Sequence, residues 1–180
     1  RRCFEAVQEL VKRRLVLAGH DRSDGGLAVC LLEMAFAGDC GLDIQLSDPS
    51  TAEKNPLHIL FAEEPGMVIE YSADDEETIL ETLQRHGIGA FCQVIGSTSS
   101  DKQIRLQHMG KVVLSEGMRV LRNTWQETSF ELEKLQTTPE CAKAENERAS
   151  ARCGLRFELT FTPSMTPRNN LEAQRKPKVA

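Results

Sequence analysis

Between residues 4 and 135 the apolar positions switch between two periods, and the switches mark the elements. Phe4, Val7, Leu10 and Val11 follow the i, i+3, i+6, i+7 spacing of one helical face and predict an amphipathic helix over 4–14. Leu15-Val16-Leu17-Ala18 is a short apolar run and reads as a buried strand. It leads into a polar seven-residue loop, His20-Asp21-Arg22-Ser23-Asp24-Gly25-Gly26. The helical period then resumes through Leu27, Leu31, Met34 and Ala35, and Gly38 and Gly41 end that helix.

Residues 42–46 alternate apolar and polar, as a half-buried strand does. Residues 48–55 form a polar loop, and 56–61 a short helix or turn. Residues 67–71 predict a strand. Asp74 is placed to cap the next helix, with Glu77 in capping-box position, Ile79, Leu80 and Leu83 as its buried side, and Gly87 as its end. A strand over 90–95 and a loop over 96–102 precede two strands, 104–108 and 111–114, joined by a Met109-Gly110 hairpin turn. Met118, Leu121, Trp125, Thr128, Leu132 and Leu135 then form one stripe of a long helix.

The alternation of elements gives an α/β or α+β class, with a mixed sheet of at least four strands covered by helices. Composition shifts after Thr137. Residues 140–152 are charged and carry no large apolar residue, and Pro163, Pro167, Asn169, Asn170 and Pro177 read as an inter-domain linker. The domain is expected over 1–137, with a connector over 138–180.

Charge and cysteine content narrow the partners. The net charge of −5, with no dense basic block, argues against nucleic acid or an anionic membrane as the main partner. No apolar run approaches the roughly 20 residues of a membrane-spanning helix. The charged opening at Arg1-Arg2 is unlike a signal peptide. Cys3, Cys30, Cys40, Cys92, Cys141 and Cys153 are irregularly spaced with no C-x-x-C pair, as expected of reduced thiols in a cytoplasmic protein rather than a zinc site. A start inside a helical pattern and a stop at Lys178-Val179-Ala180, where a strand would begin, read as a piece of a longer chain.

The seven-residue loop carries the candidate chemistry. Asp21 and Asp24 offer hard oxygen ligands suited to Mg2+. Ser23 adds a hydroxyl for a phosphate oxygen or a metal-bound water. Gly25-Gly26 permits positive φ and close backbone approach. The N-terminus of the following helix favours an anion, and Arg22 can pair with a phosphate or a carboxylate. An ordinary helix cap explains the same residues, so both readings stand on spacing alone. The loop fits no Walker A or G-x-G-x-x-G pattern.

His20 through Leu27, followed by Leu31-Leu32-Glu33-Met34-Ala35-Phe36-Ala37-Gly38, resembles the C-terminal subdomain of the aminoimidazole-ribonucleotide-synthetase superfamily. Within it, the run resembles the second such module of the large single-chain phosphoribosylformylglycinamidine synthases. Leu60-Phe61-Ala62-Glu63-Glu64-Pro65-Gly66 is similar to the family's next block, and Trp125-Gln126-Glu127-Thr128-Ser129-Phe130-Glu131-Leu132 to the block before its glutaminase linker. The resemblance implies an ATP-dependent ligase of purine biosynthesis. Such enzymes convert formylglycinamide ribonucleotide and glutamine to formylglycinamidine ribonucleotide and glutamate, with ATP becoming ADP and phosphate. It implies Mg2+ and ATP or ADP as cofactors, and partner domains of the same chain, including a glutaminase. The motif's first aspartate is a Mg2+ ligand and falls on Asp21. Its serine contacts the nucleotide and falls on Ser23, with Gly25 and Gly26 beside it. No catalytic residue is implied in this chain, and the remaining metal ligands belong to a preceding subdomain. The second module's loop resembles the one at a nucleotide that is held and not consumed.

Other residues are read plainly. Glu63 and Glu64 sit beside Pro65-Gly66 as turn residues, His20 orients the loop or packs at the strand end, Cys30 is buried, and Trp125 is core. The rival classes are a scaffolding module without chemistry and a relative such as aminoimidazole ribonucleotide synthetase or selenophosphate synthetase. The long Trp125 helix and the charged connector argue against those relatives.

Overall fold

The computed structural model describes residues 1–47, 53–150, 158–165 and 167–172. Parts of the 48–55 loop, the charged connector, Cys153 and the end of the linker lie outside the described residues.

The period-two segments build the main sheet. Strands β2 (Gly41–Leu46), β4 (Gly96–Ser99), β5 (Gln103–His108) and β6 (Lys111–Gly117) lie in the order β4-β2-β5-β6. β2 and β5 are parallel and the other pairings antiparallel, so the sheet is mixed, as expected. Register aligns Leu42 with Ile104 and Ile44 with Leu106, placing their side chains on one buried face. Helix α2 (Gly26–Gly38) and the start of α5 (Met118–Gln136) cover that face through Ala28, Leu31, Ala35, Phe36 and Met118. The alternate positions are polar. Arg105 bonds Asp43 of β2 at 3.2 Å and Asp101 at 2.5 Å, and its guanidinium holds the Asp101 carboxyl far below its ordinary range. Met109 and Gly110 form the hairpin turn the sequence predicts, and their φ values of 50° and 76° are those of a type I′ turn.

A second cluster sits beside a two-stranded ribbon. Strand β1 (Ala18–Arg22) pairs antiparallel with β3 (Gly66–Glu70). Helices α1 (Arg2–Lys12) and α4 (Glu76–Arg85) bury Ala6, Leu10, Ile79, Leu83 and the nearby Ile88, with Leu15, Val16, Ile69 and Tyr71 packed on them. Charged groups staple the two helices. Glu9 accepts Arg85 at 2.6 and 3.1 Å and meets His86 at 2.9 Å. These bonds, Arg85 first, lower the Glu9 carboxyl from its ordinary 4.5 to about 2. The folded form is thus the more acidic, and protonation favours the unfolded chain. This contribution is whole above about pH 4.5 and is lost as pH falls toward about 2. Thermal melts across that window should show a steeper acid loss in the natural chain than in Glu9→Gln. Equal slopes would remove the staple from the account.

Several expectations shift. The first strand is not Leu15–Ala18 but 18–22, so His20, Asp21 and Arg22 are strand and not loop. Antiparallel pairing needs backbone groups, not apolar side chains, and β3 supplies them. Leu15 and Val16 fill the second core from the connecting segment. In α1 the buried face runs through Ala6 and Leu10, while Phe4 and Val11 are exposed. Ser72, not Asp74, caps the fourth helix region: its Oγ accepts the Asp74 N–H at 3.4 Å, and a 3-10 turn over Ala73–Asp75 leads in. Leu80 is exposed. The strand expected at 90–95 lies at 96–99, preceded by a 3-10 turn over Gly89–Phe91 that leaves Phe91 82% exposed. The 67–71 strand belongs to the ribbon and not to the main sheet.

The long helix buries only the first residue of its stripe. Met118 is buried, Trp125 is half exposed against Phe36 (ring centroids 5.8 Å apart), and Leu132 and Leu135 are exposed. The segment after residue 137 is helical over Pro139–Ser150, named α6, and it packs on α5 with Ala142 buried. Helix α3 (Pro56–Leu60) is short, with the Asn55 side chain accepting the Leu57 N–H, and α7 (Arg168–Leu171) is a single turn.

Candidate nucleotide and metal site

The candidate residues sit where strand β1 gives way to helix α2. Strand alternation sorts them. His20 and Arg22 turn inward on the ribbon, and Asp21 turns outward with 73% of its side chain exposed. Ser23 and Asp24 follow at the ribbon's end, also exposed. Gly25 and Gly26 close the turn with φ of 79° and 68°.

Inward groups tie the strand down. His20 Nε2 lies 3.2 Å from Glu33 Oε2 of α2, and its Nδ1 lies 2.7 Å from the Asp21 carbonyl oxygen. Both ring nitrogens therefore meet protein oxygens, the orienting role expected of His20. Arg22 donates Nε to the Glu64 carbonyl at 2.6 Å and Nη2 to the Glu64 carboxylate at 3.2 Å. The Gly25 N–H donates to Glu63 Oε1 at 3.0 Å. Glu63 and Glu64 were legible only as turn residues; they are also the anchors of the turn, 38 and 42 residues away. No local spacing encodes such a contact.

The glycine pair has a second use. A Cβ on Gly26 would lie 2.7–2.9 Å from backbone atoms of Leu60, Phe61 and Ala62. The close approach that Gly26 permits is to this chain's own connector. Cys30 is buried beneath the strand, and burial pushes its thiol up, with the charges of Asp21 and Glu33 acting the same way. That suits a packing residue and not a nucleophile.

Asp21 and Asp24 each offer an exposed hard-oxygen ligand, and the family motif points to Asp21. Among the described residues, no group of three or more His, Cys, Asp or Glu side chains is arranged to hold a metal. Mg2+ commonly takes one or two carboxylates, with water and phosphate oxygens completing the octahedron, so a single carboxylate fits as one contributor to a shared site. The surface geometry thus defines a strand–turn–helix face with the Asp21 and Asp24 carboxylates and the Ser23 hydroxyl on exposed residues, suited to a ligand shared with another surface.

This fold and motif have matches among known proteins. The chain belongs to the family of AIR synthase related proteins, whose C-terminal domain model matches residues 1–109. At 41% identity over 172 residues it is similar to the Homo sapiens phosphoribosylformylglycinamidine synthase, an alignment covering 93% of this chain and 12% of that protein. A relative from Arabidopsis thaliana, a probable phosphoribosylformylglycinamidine synthase of chloroplast or mitochondrion, is 39% identical over 98% of this chain and 12% of its own length. The chain thus spans about an eighth of the curated relatives it matches. Among solved structures, Thermotoga maritima PurL complexed with ATP superposes with a TM-score of 0.59 at 23% identity, over 67% of this chain and 21% of that one. The same protein complexed with FGAR gives 0.57 at 18% identity, over 92% of this chain and 23% of that one. These likenesses establish the fold.

Proposed function

We propose that this chain is the C-terminal part of the second ATP-binding module of a phosphoribosylformylglycinamidine synthase. The whole enzyme is then an ATP-dependent ligase of purine biosynthesis. It uses glutamine and formylglycinamide ribonucleotide and works through further domains of the same chain, a glutaminase among them. The observation that carries this reading is the outward pair Asp21 and Ser23 at the strand–turn–helix junction, in a chain about 40% identical to enzymes of that name. The domain is read as ending at residue 137, where α5 gives way to α6, although α6 packs back on α5 with Ala142 buried. The compartment is read as cytoplasmic. The five described cysteines are free, which suits a reducing compartment, although the Arabidopsis relative is named for organelles. Among the described residues no helix is long and apolar enough to cross a membrane.

The residues divide the work simply. Asp21 supplies one carboxylate to a Mg2+ ion, Ser23 donates its hydroxyl to the nucleotide phosphates, and Gly25 and Gly26 shape the turn beside them. When bound, Mg2+ offsets phosphate charge and orients the phosphate oxygens. The inward residues hold the strand. A held, structural nucleotide is the second reading. It is favoured by the engagement of both His20 nitrogens with protein oxygens and the burial of Cys30, which commit those two groups to holding the fold.

In the full-length protein, Asp21→Asn should weaken Mg-ADP binding at least tenfold, about 1.4 kcal/mol, by calorimetry. Unchanged affinity would exclude Asp21 as a ligand.

A further inference from the structure

The turn between β1 and α2 is held from outside itself. The connector from α3 to β3 reaches it at three points: Glu63 on the Gly25 N–H, Glu64 on Arg22, and the Leu60–Ala62 backbone against Gly26. Inside the turn, the Ser23 carbonyl accepts the Gly26 N–H at 3.0 Å. The side chains of Asp21 and Ser23 take no part in these bonds and stay exposed.

Glu63 differs from the other two contacts in hydrogen-bonding the backbone of the turn itself. It places a carboxylate on an N–H at the start of α2, where the helix dipole favours negative charge, so the bond is charge-assisted. It also acts two residues beyond Ser23, on the one free-turning stretch between the strand ladder and the helix. Removing it releases the Gly25 N–H while Arg22 and Gly26 still hold the flanks. The expected change is therefore a loosened presentation of Ser23 more than a loss of fold.

We infer that Glu63 is a positioning residue of the nucleotide site, fixing through the Gly25 N–H the turn that presents Ser23 beside Asp21. This rests on the nucleotide-site reading above. The test uses the full-length protein, with Mg-ADP as the probe, affinity by calorimetry and stability by thermal melt. Glu63→Ala should weaken Mg-ADP at least tenfold. Glu63→Gln, whose amide oxygen can still accept the Gly25 N–H, should bind within about threefold of the natural protein. If Glu63→Ala does not fold, Glu63→Asp, which withdraws the carboxylate by one carbon, takes its place with the same expectation. A lowered melting temperature with unchanged affinity would reduce Glu63 to a structural role and overturn the inference. Equal loss in Ala and Gln variants would overturn it as well, since the bond itself would not matter. Asp21→Asn separates the two levels. If it leaves affinity intact, the nucleotide-site reading fails; if it weakens binding while Glu63→Ala does not, only the positioning role fails.

Discussion

Gly26→Ala should lower the unfolding free energy of the chain by about 2–5 kcal/mol. Two effects add. A φ of 68° costs an L-residue about 1–2 kcal/mol. The new Cβ would also lie 2.7 Å from the Phe61 carbonyl carbon, 2.8 Å from the Leu60 oxygen and 2.9 Å from the Ala62 oxygen. These are backbone atoms, which cannot rotate away, so α2 and the connector must separate. Gly110→Ala is the internal control. Its φ is 76° and nothing lies within 4 Å of the added carbon, so it carries only the dihedral cost. Denaturant melts of both variants should rank Gly26→Ala well below Gly110→Ala. Equal losses would mean that the α2–connector contact is loose.

Ile104→Ala is the second large effect, about 2–5 kcal/mol. Ile104 is fully buried near the start of β5, registered opposite Leu42 and packed in the main cluster with Met118. Close packing leaves little room for neighbours to relax into the cavity. Ile104→Val should cost only about 0.5–1.5 kcal/mol. Val112→Ala, at a position 66% exposed on β6, should stay within about 0.5 kcal/mol of the natural chain. An Ile104→Ala loss no larger than that of Val112→Ala would contradict the placement of the core.

These positions also mark how much was legible beforehand. The alternation around Leu42, Ile44, Ile104 and Leu106 encodes the sheet directly, because one face must be buried and the period is two. The Met109-Gly110 turn was equally plain. What sequence patterns missed lies where backbone pairing or distant contact decides. Residues 20–22 are polar, yet they form a strand because β3 offers partners. Residues 90–95 are apolar, yet Phe91 and Val94 are exposed, and the ladder beside β2 is taken up by Gly96–Ser99. The stripe on α5 runs on past the core, so its period encodes a helix without saying how much of it is covered.

The candidate site was legible in part for the same reason. Carboxylate, hydroxyl and glycines stand together within seven residues, and that run could be read. The partners of its inward half could not. Glu33, Glu63 and Glu64 come to the turn from other elements, and only the fold brings them there. The result is a division of labour along one strand: His20 and Arg22 anchor, and Asp21 faces out.

Whether that outward carboxylate meets a metal can be seen directly. Mn2+ in place of Mg2+, with ADP, in crystals of the full-length protein gives an anomalous signal at each metal. A peak is expected within coordination distance of an Asp21 carboxylate oxygen, shared with the nucleotide phosphates. Nucleotide and metal bound elsewhere, with Asp21 facing only solvent, would contradict it.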